Sequence, residues 1–318
     1  MVYAPVIIPT LNRKEHLQRC ITSLQNNSWA KYTTLVIGVD YPPAEKYRLG
    51  YEAVCDYLRE EITGFAHVKV IYHQENLGPY ENMIYLKKYI GELSDRYIFT
   101  EDDNEMSPDF IEYIDKGLDK FEEDDTIIAI CSTGAENEIE TEDENVVLTH
   151  NYSAHGYGTW TAKEKIYSDK INREYFEMIS KDLGKLWSLY RYSPSLVFAC
   201  QSVIFRKEKL YQLPDGSVPV LDMTIKIYSV LENKYVVCPC IRKSRNWGYD
   251  GSGVNCPDTK SEILKNRIDE RDYFTIRCKK EMRVSKILHR NSFEIKIRVL
   301  SAILKLKLLT GRTRGGSL

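Results

Sequence analysis

The chain has 318 residues, 43% of them hydrophobic and 28% charged, enough for one large α/β domain with additions or for two small domains. A formal net charge of -2 conceals an asymmetry: from Lys279 onward eleven Lys or Arg face only Glu281 and Glu294, so the body is acidic and the tail basic, which points the tail toward an anionic partner. No apolar run reaches the roughly 18–20 residues that span a bilayer. Nothing ahead of the first apolar run reads as a signal peptide, and the eight cysteines offer one C-x-C (Cys238 and Cys240) but no C-x-x-C with zinc spacing, so the expectation is a reduced, cytoplasmic protein.

In chain order, strands are predicted at Tyr3–Ile8, Thr34–Val39, Val68–His73, Arg96–Thr100 and Thr126–Cys131. Between them helical spacing covers Lys14–Asn26, Glu45–Ile62, Tyr80–Leu93 and Pro108–Phe121. Such alternation predicts βαβ units and a mostly parallel sheet flanked by helices. Farther on, the acidic stretch 135–150 reads as a surface loop, "HGYGTW" occupies 155–160, and a helical region covers Asp169–Tyr190. The apolar run "LVFACQSVIF" (196–205) is predicted as a strand, Val220–Leu231 as a helix and "KYVVCP" (234–239) as a strand, with the glycine-rich "RNWGYDGSG" at 245–253. Two further helices are predicted over about 260–282 and 284–310. No repeat with a period of 20–50 residues is present.

Ligands of open α/β sheets bind outside the carboxyl ends of the strands. The residues just past the predicted strands are therefore the candidate site: Pro9, Thr10, Asn12 and Arg13; then Asp40; then Glu75, Asn76 and Gly78; then Glu101, Asp102, Asp103 and Glu105. Packed carboxylates repel unless something positive neutralises them or water solvates them. The acid cluster is thus either a solvated strand end or the site of a hard divalent cation, which takes one or two carboxylates and leaves the rest of its shell to phosphate and water. Asp40 either accepts hydrogen bonds from a ribose or base or caps the turn before Pro42 and Pro43. Asn76-Leu77-Gly78 is either a set of backbone donors near phosphate or a turn with glycine at positive φ. Asp222, near the start of a predicted helix, is either a general base or a favourable charge at a helix N-terminus. No G-x-G-x-x-G comes after the first strand and no P-loop occurs, which disfavours dinucleotide enzymes and P-loop NTPases.

Taken together, these segments resemble the GT-A-fold glycosyltransferases of the broad family 2 type, over about residues 3–256. "PVIIPTLNRKEHLQRCITSL" is similar to the family's opening strand and helix, Asp40 to its nucleoside-binding aspartate, and "ENLGPYENM" to its middle loop. "EDDNEMSPDFIEYI" is similar to its acidic signature, in a form like that of N-acetylglucosaminyltransferase I. "HGYGTW" and "RNWGYDGSG" resemble the "W-G-W-x-T-W" and "N-x-G-x-D-G-S-G" segments of bacterial polysaccharide-assembly transferases. The resemblance implies a Rossmann-like, nucleotide-diphospho-sugar transferase fold with C-terminal helices: residues 1–132 as the nucleotide-sugar half, 133–258 as the acceptor and catalytic half of the same domain, and 259–318 as a basic extension.

It also implies roles. Asp103 binds Mn²⁺ or Mg²⁺, Glu101 faces the donor sugar, and Asp102 faces the ribose or the metal's water shell. Asp40 holds the nucleoside with Pro9, Thr10, Asn12, Arg13, Asn76 and Gly78 around it, Asp222 is the base, and His155, Trp160, Asp250 and Asn255 belong to the acceptor side or to its loops. Two positions depart from the bacterial pattern, Asn255 where it continues with His, and His155 where it has the first aromatic. The implied reaction is inverting transfer from a nucleoside-diphosphate sugar, UDP-linked by preference, to a glycan or lipid-linked saccharide of a surface or capsular polysaccharide. The basic, amphipathic 284–314 then reads either as a packed helix or as a contact with an anionic membrane on its cytoplasmic face, and no nucleic-acid motif accompanies it. A sugar nucleotidyltransferase uses a similar sheet but opens with a glycine-rich loop that "PTLNRKEHL" lacks; a non-catalytic, membrane-associated sugar-binding protein of the same fold is the other alternative.

Overall fold

The structure, a computed structural model, describes residues 2–133, 145–205, 218–252 and 268–277. These residues divide into two compact units, with breaks between Glu164 and Lys165 and between Lys234 and Tyr235.

The first unit is built on strands β1 (Val6–Thr10), β2 (Thr34–Val39), β3 (His67–Tyr72), β4 (Arg96–Phe99), β5 (Asn104–Met106), β6 (Ile127–Cys131), β7 (Val146–Thr149), β8 (Tyr157–Trp160), β9 (Tyr235–Pro239) and β10 (Ser244–Asn246). Eight of them form one sheet in the order β3-β2-β1-β4-β8-β6-β9-β7, while β5 and β10 form a separate ribbon. β3, β2, β1 and β4 run parallel, as do β6 and β9; β8 and β7 are antiparallel to their neighbours. Helices α1 (Lys14–Gln25), α2 (Arg48–Arg59), α3 (Pro79–Gly91) and α4 (Phe110–Lys120) come after the early strands as the alternation predicts, and α5 (Thr161–Lys170) comes directly after β8.

The core explains that alternation. Leu17, Cys20, Ile21 and Leu24 of α1 recur at helical spacing and are fully buried, and they share one cluster with Val6 and Ile8 of β1, Leu35 and Ile37 of β2, and Ile111, Ile114 and Leu118 of α4. Each such side chain contributes roughly 1.5–3 kcal/mol on burial. Glycines let α-helices approach the sheet closely: a Cβ at Gly38 would lie 2.6 Å from Asn82 Oδ1 of α3, and one at Gly158 would lie 2.2 Å from Ile114 Cγ2 of α4. Asn82 ties α3 to the sheet by donating to Gly38 O at 2.9 Å, and its Oδ1 meets His73 Nε2 at 3.0 Å.

Several expectations are corrected. Residues 196–205 are not a strand but part of helix α8 (Pro194–Phe205). The run is mostly apolar, so its periodicity does not separate strand from helix; from Leu196 to Val203 every residue but Phe198 is buried, so burial marks no single face. Within the stretch read as a surface loop, Val146–Thr149 is β7, paired with β9 at the sheet edge, and "HGYGTW" supplies β8. The predicted helix over 260–282 fails where it is described: residues 268–277 are not helical. They are fixed by Phe274, packed edge-on against Tyr113 of α4, and by Asn145, which exchanges hydrogen bonds with Thr275 and Arg277. The helix predicted over 284–310 lies outside the described residues.

The second unit contains α6 (Arg173–Lys181), α7 (Leu183–Tyr192), α8 and α9 (Asp222–Leu231), with α6, α7 and α9 each packed on α8. No helix among the described residues is long and apolar enough to cross a membrane. The six cysteines that are described are all buried.

Candidate functional site

Because β1 to β4 are parallel, their carboxyl ends open along one edge, where Thr10, Arg13, Asp102 and Asp103 meet and Asp40 meets Asn76 and Gly78. Thr10 ends β1: its carbonyl accepts from Asp40 N at 2.9 Å, and its hydroxyl donates to Asp102 Oδ2 at 2.8 Å. Arg13, just ahead of α1, lays its guanidinium across both acids, with Nη1 donating to Asp103 Oδ2 at 2.8 Å and Nη2 paired with Asp102 Oδ1. Asp102 and Asp103 are 4% and 7% exposed, so water does not dilute their repulsion. Arg13 supplies the counter-charge instead. Burial, the largest influence, acts with Asp103 to raise the Asp102 carboxyl above its ordinary pKa despite the pull of Arg13 and Thr10. At Arg13 burial works against the charge, and the two acids more than offset it.

The second oxygen of Asp103 accepts from Asn246 Nδ2 at 3.0 Å, a contact spanning 143 residues of sequence. Asn246 ends β10, whose antiparallel pairing with β5 sets Asn246 opposite Asn104. Its amide also donates to Asn104 Oδ1 at 3.2 Å and accepts from Gly248 N at 2.7 Å, while Trp247 N donates to Asp103 O at 2.8 Å. Gly248 is required by this packing: a Cβ there would sit 2.4 Å from Asp103 Oδ2. The acidic and glycine-rich segments are thus one structural element.

The ribbon is fixed at both ends. Lys243, with no exposed surface, pairs with Asp109 and, at 2.6 Å, with Asp269, while its carbonyl accepts from Ser107 N. Toward α1, Trp247 Nε1 donates to Glu105 at 2.7 Å, Arg19 lies 4.2 Å above the Trp247 ring, and His16 Nε2 stands 3.2 Å from Asp250 Oδ2. Burial raises the Asp250 pKa, but hydrogen bonds from Ser252 and the charge of His16 outweigh it and leave the carboxyl below its ordinary value.

Asp40 is also buried, and its two oxygens accept four hydrogen bonds, from Tyr41 N, Asn76 Nδ2, Leu77 N and Gly78 N, at 2.8–3.0 Å. It therefore organises the 76–78 loop as well as its own turn. Gly78 adopts φ 83°, which allows the chain to enter α3 at Pro79.

Of the remaining candidates, His155 lies on the loop into β8, its carbonyl accepting from Ser132 Oγ at 3.1 Å. Trp160 is not brought to the cluster: antiparallel pairing sets Tyr157 opposite Phe99 but Trp160 opposite Arg96, at the other end of β4, where Lys163 covers its ring. Asp222 is the first residue of α9 in the second unit. There Thr224 Oγ1, and not Asp222, accepts from Leu221 N at 2.8 Å. Asn255 lies outside the described residues. Sequence reasoning assigned no role to Asn246 or Gly248, although both stand in the "N-x-G" of the glycine-rich segment, nor to His16 and Arg19, which carry no signal beyond their place on α1.

Among the described residues no group of three or more His, Cys, Asp or Glu is gathered to hold a metal alone. Asp102 and Asp103 are nonetheless the hard oxygen donors that Mg²⁺ or Mn²⁺ takes in ones and twos when phosphate and water complete the shell. The donor set fits such an ion once Arg13 withdraws.

No curated protein matches the sequence. Among solved structures, mouse xyloside xylosyltransferase 1 overlaps 89% of this chain and 100% of its own at 10% identity and TM-score 0.40. TarS from S. aureus overlaps 52% of this chain at 14% identity and TM-score 0.37, and the bifunctional glycosyltransferase WbbM 53% at 11% and 0.31. The matched region spans 30% of TarS and 33% of WbbM, and likenesses this distant carry no argument by themselves. The glycosyl transferase family 2 model matches residues 6–183, from β1 through the acid cluster and β8 into the second unit. With more than half the chain so matched, this protein belongs to glycosyl transferase family 2.

Proposed function

We propose that the chain is a metal-dependent, inverting glycosyltransferase that moves a sugar from a nucleoside-diphosphate sugar, with uridine diphosphate the favoured carrier, to a hydroxyl of a glycan or lipid-linked saccharide in surface polysaccharide synthesis. The observation that carries this reading is the convergence of Thr10, Arg13, Asp102, Asp103 and Asn246 at the carboxyl edge of β1 and β4, joined through Thr10 to Asp40. Residues 1–132 form the donor half and 133–258 the acceptor half.

In this reading Asp103, with Asp102 beside it, holds Mn²⁺ or Mg²⁺. Bound there, the ion would neutralise charge developing on the leaving diphosphate. Asp40 keeps the 76–78 loop in place along the nucleoside and accepts a nucleoside donor in exchange for the Asn76 amide, the one side-chain donor among its four partners. Glu101 faces the donor sugar. Asp222 takes the proton of the acceptor hydroxyl, which attacks the anomeric carbon from the face opposite the diphosphate, so configuration inverts. His155 and Asp250 flank the acceptor, and the basic tail 284–314 brings the enzyme to an anionic membrane surface.

The test is turnover of UDP-, TDP- and GDP-sugars with Mn²⁺ present or chelated, monitored as release of the nucleoside diphosphate. Wild type is expected to release one nucleotide in a metal-dependent way, and Asp103→Ala to lose at least about a hundredfold in rate. Asp222→Asn is expected to lower kcat for transfer with little change in donor KM. Equal release by wild type and Asp103→Ala would overturn the assignment.

A further inference from the structure

Arg13 holds an oxygen of each acid, and a metal ion on the same pair would compete with it and repel it. Its guanidinium donates to Asp102 and Asp103 together, is about one-fifth exposed, and sits on a short connection between β1 and α1. The other contacts of the pair are neutral, Thr10 Oγ1 on Asp102 and Asn246 Nδ2 on Asp103. Among the described residues two buried carboxylates thus share one positive partner, leaving net negative charge for a divalent ion to satisfy. A divalent ion arriving alone must displace Arg13 and strand a guanidinium in a part-buried setting, which opposes its binding. A nucleoside diphosphate arriving with the ion offers that guanidinium a bidentate anionic partner of the geometry it favours.

We infer that Arg13 is a resident counter-cation that is exchanged: it holds the acid pair when donor is absent, and it passes from the carboxylates to the diphosphate when metal and nucleotide bind, so that each binds well only with the other. This rests on the donor-site reading above. Thr10 and Asn246 stay with the acids throughout, keeping their side chains aimed for the ion while the guanidinium leaves. Coupling of two ligands through a group both must move is reciprocal, so metal should tighten nucleotide by the factor by which nucleotide tightens metal.

The experiment is titration of Mn²⁺, read as loss of the free-ion electron paramagnetic resonance signal, on wild type, Arg13→Ala and Arg13→Gln, alone and with UDP, TDP or GDP. Thermal melting of each protein verifies folding, and the glutamine variant keeps much of the side-chain volume while removing charge. Wild type should bind Mn²⁺ weakly alone and at least about tenfold tighter with one nucleotide. Both variants should bind Mn²⁺ alone at least about tenfold tighter than wild type, because a unit positive charge within a few ångströms has gone, and nucleotide should then add little. If wild type shows nucleotide-dependent Mn²⁺ binding but neither folded variant tightens Mn²⁺ alone, the exchange is overturned and the donor site stands. If no protein binds Mn²⁺ with any of the nucleotides, the donor-site reading falls and the exchange with it.

Discussion

Asp115→Asn is expected to leave stability almost unchanged near pH 4 and to raise it by about 2–4 kcal/mol above pH 7. Asp115 lies on α4 with no exposed surface; Oδ1 accepts from Ala4 N at 3.1 Å and Oδ2 is buried without a hydrogen-bond partner among the described residues. Burial, aided by nearby Asp119 and opposed by the Ala4 amide and Arg96, lifts its pKa to about 7. The unfolded carboxyl releases its proton near pH ~3.9. Between those values the folded chain binds more protons than the unfolded one, so this group's stabilising contribution is present below pH ~4 and declines as pH rises, with most of roughly 4 kcal/mol gone by pH 7. Asparagine keeps the acceptor for Ala4 N and cannot ionise, though its buried amide takes back part of the gain. Denaturant unfolding of both proteins from pH 4 to pH 8 checks this: the stability difference should open with pH, and a constant difference would show that folding does not raise the Asp115 pKa.

Gly248→Ala is expected to lower kcat/KM about a hundredfold while melting within a few degrees of wild type. Gly248 does not occupy the left-handed region, so the added methyl acts by contact alone. Its carbon would lie 2.4 Å from Asp103 Oδ2 and 3.0 Å from Asn246 Oδ1. The carboxylate is the movable party and must turn away, leaving its contacts with Arg13 and Asn246. Displacement of a positioned charge by about 1 Å is enough for a loss of that size. Gly78→Ala is the comparison: its Cβ would meet nothing within 4 Å among the described residues, so the strain of φ 83° is what remains. If Gly248→Ala turns over donor at the wild-type rate, Asp103 is not where the chemistry depends on it.

The early fold was legible because each element announces itself twice, by its apolar period and by the polar residues at its carboxyl end. The strand runs at 6–10, 34–39 and 96–99 end in Thr10, Asp40 and the acid cluster, and parallel pairing makes one edge of those ends. The pairings across that edge were not legible. Arg13 and Asp102 are 89 residues apart, and Asn246 and Asp103 are 143, and nothing local in either segment specifies such a contact. The repulsion of the acids left a solvated strand end or a divalent cation as readings, with Arg13 assigned to the nucleoside; in the folded chain the pair is buried and Arg13 is its counter-charge. The misread elements are those whose local signal is ambiguous or masked. The 194–205 helix is apolar on every side, the strand at 146–149 is three apolar residues behind an acidic stretch, and 268–277 is held by Phe274, Asp269 and main-chain pairing with Asn145 instead of by any period.

Whether the acid pair and Arg13 form a nucleoside-diphosphate site is tested more directly by binding than by turnover, because no acceptor is needed. Thermal melting of wild type and Asp103→Ala should be measured with UDP, TDP and GDP, each with and without Mn²⁺. A ligand at a hundred times its dissociation constant stabilises the folded state by about 2.7 kcal/mol, or about 4 °C in Tm for a chain of this length. One nucleotide should produce that shift in wild type only with Mn²⁺, and Asp103→Ala should abolish it. An unchanged Tm with all three nucleotides in the presence of Mn²⁺ would contradict a donor site at this edge and leave Arg13, Asp102 and Asp103 as a structural ion cluster.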